Sequence, residues 1–208
     1  GQTTKGVTAC YNTGSITGTG NYVAGIVAFA SGASASVKNC YNRAYVESTG
    51  SNVGAVVGMT NNASAAMSNL YYLDFTCAQG IGSAKSTSQT ATAKTRAEMD
   101  SADFVTTMNT GMAGTFGSSR YSPALSWQTD LIGLTTPTKG NVNLDPFGYV
   151  DEEDLALLTE WKDAGKTKDD LTAEQWAQAD INGDGVLSGK DTKVLKNYIN
   201  DPASNPIK

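Results

Sequence analysis

The chain has 208 residues, no histidine and a formal net charge of −5, a length that suits one or two domains. It carries 8 basic and 6 acidic side chains up to residue 139, then 7 basic and 14 acidic from residue 140; an acidic last third points to cations, not nucleic acid. The missing histidine removes the commonest general base and the usual partner of a Ser or Cys nucleophile. No apolar run reaches the roughly 18–20 residues of a membrane span, and no signal peptide is visible, so the chain reads as a mature fragment of something longer. Cys10, Cys40 and Cys77 are an odd set, spaced neither as a disulfide framework nor as a zinc site.

From the N-terminus the chain repeats. Cys10-Tyr11-Asn12 returns as Cys40-Tyr41-Asn42, with Leu70-Tyr71-Tyr72 in the third copy, and Asn39 returns as Asn69. Ala24 to Ala28 matches Gly54 to Gly58, Ser15-Ile16-Thr17 matches Tyr45-Val46-Glu47, and Gly80-Ile81-Gly82 is a weaker third echo. These landmarks share one 30-residue period. Each unit holds short apolar stretches between Gly, Asn and Ser turns, which are strand-length pieces. That pattern predicts a short right-handed parallel β-solenoid over residues 1–94, with equivalent residues stacked roughly 4.8 Å apart. Asn12 then stacks on Asn42, and Cys10 lies near Cys40, either as small core residues or as a disulfide. The Gly-Ile/Val-Val-Gly and Cys-Tyr-Asn motifs resemble GLUG repeats of bacterial surface and adhesin-like proteins over residues 6–84. Ala24, Ala28 and Ala55 depart from that pattern.

Ser83 to Ala93 reads as a loop or extended strand. Thr95 and Glu98 have capping-box spacing, and 95–109 reads as one helix carrying Met99, Phe104, Val105 and Met108. Pro123 to Trp127 reads as a closing strand. Residues 95–130 are thus expected to cap the last coil, since an open end exposes strand edges. Residues 131–139 read as a linker.

The last segment, 140–208, carries the clearest chemistry. Asp180, Asn182, Asp184, Val186 through its carbonyl, Ser188 and Asp191 stand at positions 1, 3, 5, 7, 9 and 12 of an EF-hand-type loop, with Gly185 at the sharp turn. An upstream counterpart is Asn141, Asn143, Asp145, Tyr149, Asp151 and Asp154, once Pro146 and Phe147 are taken as an insertion. Neutral Asn141 at position 1 suggests less charge at this loop. Val150 and Leu187 share loop position 8, where a short β contact is expected. Helices are expected at 152–164 and 189–200, with a short one from Leu171 to Ala179 that buries Trp176.

A helix after each loop but none before the first resembles a dockerin, over residues 139–202. The resemblance implies an all-α module holding two Ca2+ ions, the second loop being the more complete, and a cohesin partner on a scaffold protein. It also implies partner contacts through Glu152, Glu153, Thr159 and Glu160 in the first repeat and Gly189, Lys190, Lys193, Lys196 and Asn197 in the second. Their opposite charge predicts a single binding orientation. The expected role is a non-catalytic, extracellular or cell-surface module that docks onto a cellulosome-like scaffold, with the solenoid as adhesion or spacer element. Alternatives are a carbohydrate-binding module using Tyr11, Tyr41 and Tyr71 on plant polysaccharide, or the C-terminal piece of a polysaccharide-degrading enzyme whose catalytic domain lies upstream.

Overall fold

A computed structural model describes residues 1–207. The chain divides into two compact units, one of Gly1–Ser118 with Ser122–Asp130, the other of Ser119–Tyr121 with Leu131–Lys208.

In the first unit every strand before residue 95 pairs in parallel. The first strands are β1 (Gln2–Thr3), β2 (Gly6–Asn12), β3 (Ile16–Gly18), β4 (Val23–Ala24) and β5 (Val27–Ala30). The next layer repeats β2 to β5 as β6 (Ser36–Asn42), β7 (Val46–Ser48), β8 (Val53–Gly54) and β9 (Val57–Thr60), while β1 pairs with β5. β10 (Ala66–Leu73), β11 (Ile81–Ser83) and β12 (Thr92–Lys94) follow. The 30-residue period becomes pairing register: Cys10 faces Cys40, Ile16 faces Val46, Val23 faces Val53 and Val27 faces Val57. β10 keeps that offset, with Leu70 on Cys40. The final layer is shorter, so Ile81 lies on Val57 and Tyr71 on Thr92.

A left-handed residue recurs at one position of each layer: Ala9 (φ 55°), Asn39 (φ 50°) and Asn69 (φ 51°). Strict alternation would put Val37 and Cys40 on opposite faces. The extra residue resets the pleat, and both side chains enter the core with Val27, Val56, Val57 and Leu70. Glycine is required where layers touch: a Cβ on Gly58 would lie 2.4 Å from the Ala28 carbonyl, and one on Gly25 2.5 Å from the Ala55 carbonyl. Asn12 Nδ2 donates to Asn42 Oδ1 at 2.8 Å, the predicted ladder. All three cysteines are free thiols; burial pushes Cys40 up to about 12.

The stretch after β11 is closed by a buried Gln89. Its Oε1 accepts from Thr60 Oγ1, Lys85 N and Ser86 N, and its Nε2 donates to the Asn62 and Ala65 carbonyls. The expected helix 95–109 is two helices, α1 (Arg96–Met99) and α2 (Ala102–Met108). They break at Ser101, whose hydroxyl caps the second by accepting from Phe104 N. The closing strand is β14 (Ala124–Leu125), paired antiparallel with β13 (Phe116–Gly117).

This segment lies across the outer face of the β2-β6-β10 sheet, a correction to the expected end cap. Tyr11 and Tyr41 stack at 5.3 Å, and Phe104 meets Tyr41 and Tyr71 edge-on at 5.6 and 5.3 Å. The Tyr41 hydroxyl donates to the Pro123 carbonyl, and Tyr11 Oη to Gln128 Oε1. Asn39 Nδ2 donates to the Met108 and Thr110 carbonyls. Arg43, fully buried, pairs with Asp100 and donates to Ser122. Outward aromatic rings are a large apolar surface, and burying them favours the lateral placement.

The second unit is helical. It contains α3 (Glu152–Asp163), a 3-10 turn at Lys168–Asp170, α4 (Ala173–Ala179) and α5 (Gly189–Asn200). Leu158 and Trp161 of α3 share a core with Leu195 and Tyr198 of α5, joined by Val142, Val150, Leu187 and Ile207. Trp176 is half-buried at the edge of this core, less enclosed than expected.

Candidate functional site

Each loop ends on a helix N-terminus, and the capping chemistry fixes the last donors. Ser188 and Asp151 are the N-caps of α5 and α3, and their side chains accept from Lys190 N and Glu153 N. Three residues on, Asp191 Oδ2 accepts from Ser188 N and Asp154 Oδ2 from Asp151 N, completing capping boxes. The other oxygens reach back to the loop starts, Asp191 Oδ1 to Asn182 N at 3.2 Å and Asp154 Oδ1 to Asn143 N at 3.0 Å. Both carboxylates are fully buried.

The rest of the frame is equally matched. Asn182 Oδ1 accepts from Asp184 N, and Asn143 Oδ1 from Asp145 N. Asp184 Oδ1 accepts from Val186 N; Asp145 Oδ1 accepts from Phe147 N and Gly148 N. Left-handed turns fall at Gly183 and Gly185 in one loop and at Leu144 and Gly148 in the other. The Pro146-Phe147 insertion is therefore absorbed between Asp145 and Gly148. The start of the first loop is pinned by α4, whose Gln178 accepts from Gly140 N through its carbonyl and from Asn141 N through Oε1.

The loops differ at position 1. Asp180 Oδ2 accepts from Gly185 N, while its Oδ1 is buried and accepts no hydrogen bond. A buried carboxylate oxygen without a partner is costly and is an acceptor suited to a cation. Asn141 instead closes on its own loop: Oδ1 accepts from Asp145 N and Nδ2 donates to the Asp145 carbonyl. The expected charge deficit of the first loop is corrected by Asp151. With Asp145 and Asp154 it gives three carboxylates, matching Asp180, Asp184 and Asp191. Burial, opposed by backbone donors and reinforced by the charge of Asp151, pushes Asp145 and Asp154 above the usual carboxylate range. Asp184 is held below it by Lys190, whose Nζ lies 3.1 Å from Oδ2.

Among the described residues no three His, Cys, Asp or Glu side chains cluster as a metal-holding group by themselves. The donor sets are mixed, with Asn amides and backbone carbonyls between the carboxylates. Hard oxygen donors only, two buried position-12 carboxylates and an unpartnered Asp180 Oδ1 fit calcium in kind.

The two matched loop–helix frames coincide with a known family. Residues 140–200 match the model of the dockerin type I domain. Comparisons with curated proteins and with solved structures found no match. Around the dockerin's two loops, the expected partner residues Glu152, Glu153, Glu160, Gly189, Lys190, Lys193, Lys196 and Asn197 are exposed. Thr159 is half-buried, its Oγ1 donating to the Leu155 carbonyl. The short β contact expected between Val150 and Leu187 is not formed; both side chains lie in the core, and Val150 N donates to Tyr121 Oη instead. Sequence reasoning missed Tyr121, which is remote from the loop, and Lys139, whose Nζ donates to the Asp180 carbonyl at 2.8 Å.

Proposed function

We propose that the chain is a non-catalytic extracellular module that docks, through its calcium-ordered dockerin, onto a cohesin of a cellulosome-like scaffold. The observation that carries this reading is the coincidence of the 140–200 family match with two equivalent hydrogen-bond frames. Calcium, when bound, supplies the positive charge that three carboxylates per loop require. Asp180, Asn182, Asp184, the Val186 carbonyl, Ser188 and Asp191 would hold one ion. Asn141, Asn143, Asp145, the Tyr149 carbonyl, Asp151 and Asp154 would hold the other. A domain of about 65 residues buries little core on folding, so metal binding contributes to its stability.

Docking uses exposed residues of α3 and α5, along their first turns and the turns that follow. One offers Glu152, Glu153 and Glu160, the other Lys190, Lys193 and Lys196. A cohesin surface complementary to one is repelled by the other, which supports a single binding orientation. The stacked parallel unit, which resembles GLUG repeats and suits a β-solenoid, serves as an adhesion or spacer element. The buried Tyr41 and its covering Phe104 weigh against a sugar-binding tyrosine stack. Calorimetry of the full chain against a panel of cohesins, in calcium and in chelator, tests the reading. Binding that survives chelation, or no cohesin partner at all, overturns it. Exchanging Lys190 and Lys196 for Glu is expected to weaken the complex, and unchanged affinity removes the α5 face from the interface.

A further inference from the structure

The dockerin match begins at residue 140, yet the compact unit that contains it includes Ser119–Tyr121. The Tyr121 ring meets Tyr149 edge-on at 5.0 Å, and Tyr149 stacks on Phe147 of the insertion at 5.6 Å. Arg120 lies over the Tyr121 ring at 5.0 Å and the Tyr198 ring at 5.9 Å, and its carbonyl accepts from Thr136 Oγ1. The central contact is polar: Val150 N–H donates to Tyr121 Oη at 2.8 Å.

That N–H belongs to the same peptide group as the Tyr149 carbonyl, the position-7 donor of the first loop. A peptide group is planar and trans, so its N–H and C=O point in opposite directions and turn together. Holding the N–H therefore sets the carbonyl. The site lies directly after the Pro146-Phe147 insertion, where a longer loop has the most freedom to misplace that peptide. We infer that Tyr121 is a positioning residue of the first calcium loop, orienting the Tyr149–Val150 peptide from outside the dockerin match. The inference rests on the calcium reading above. It makes residues 119–121 a working part of the dockerin.

The test is a calcium titration of the full chain and of its Tyr121→Phe variant, followed by NMR. The amides of Gly148 and Gly185 report the two loops separately. The variant keeps the ring and its contacts but loses the hydroxyl acceptor. Its first-loop affinity should fall about fivefold, the worth of one neutral hydrogen bond, with the Gly185 titration unchanged. Equal weakening of both loops would mean a general loss of fold and would overturn the positioning role. If Gly148 of the unaltered chain responds to calcium and the variant titrates identically, the inference fails while the calcium reading stands. If Gly148 never responds, the calcium reading of the first loop fails and the inference with it. A second measurement needs no variant: Val150 N–H must exchange slowly in the calcium-loaded chain, and fast exchange overturns the inference.

Discussion

Replacing Asp180 with Asn probes a buried carboxylate oxygen of the second loop that accepts no hydrogen bond. Asp180 Oδ1 is buried without a hydrogen bond while Oδ2 accepts from Gly185 N. The amide of Asp180→Asn keeps an acceptor for Gly185 and removes the uncompensated charge. The first loop already shows this arrangement at Asn141, which closes on Asp145. Leaving a buried acceptor unsatisfied costs about 1–3 kcal/mol. The variant should recover part of that in chelator, and the midpoint of the second unit should hold steady or rise, by about 4–8 °C per kcal/mol in a unit of this size. In calcium the sign reverses. The lost donor charge removes about 2–3 kcal/mol of binding, a drop of roughly 30- to 150-fold in second-loop affinity. Calorimetry gives the affinity, and thermal melts by circular dichroism with and without chelator give the sign. Equal shifts in the same direction in both media would refute the assignment of Asp180 as a cation donor.

Asn141→Asp should strengthen the first loop on the order of tenfold by raising its charge count, read by the same calorimetry. Burial raises Asp145 and Asp154 above the ordinary 3.8. Their contribution to the chelated fold is complete below that value and is lost as pH rises through the raised pKa values. Calcium needs both ionised, so its first-loop affinity should fall on acidification at a higher pH than the second loop's, where Lys190 lowers Asp184; titrations at several pH values check this. Gln89→Ala removes the group that satisfies Thr60 and two backbone carbonyls, and should lower the stability of the first unit by about 2–3 kcal/mol in denaturant melts. Ala9→Asn places a residue tolerant of the left-handed conformation where Ala has φ 55°, and should raise that stability by about 0.5–1 kcal/mol.

The layering was legible because register and period are the same quantity: a residue that recurs after 30 positions pairs with its copy. The short last layer was not, since Ile81 and Thr92 follow loops whose length the period does not control. Side chains for the segment 95–130 were identified correctly as apolar, but an apolar helix face does not say which surface it covers. Tyr11, Tyr41 and Tyr71 point outward in register, and that face supplied the partner. In the dockerin, the paired loop–helix frames and the two-residue insertion were readable from spacing. Tyr121 was not, because a hydrogen bond from a loop amide to a distant hydroxyl leaves no local pattern.

The insertion in the first loop has a practical use. Asp154 accepts from Asn143 N and from Asp151 N, which ties the two halves of the frame together, and the additional length is held between Asp145 and Gly148 by hydrogen bonds to Asp145 Oδ1. The Asp154 link spans the insertion, so the two ends of the frame stay joined across it. A short peptide grafted between Pro146 and Phe147 would be displayed on a folded domain, with chelator loosening the loop that presents it.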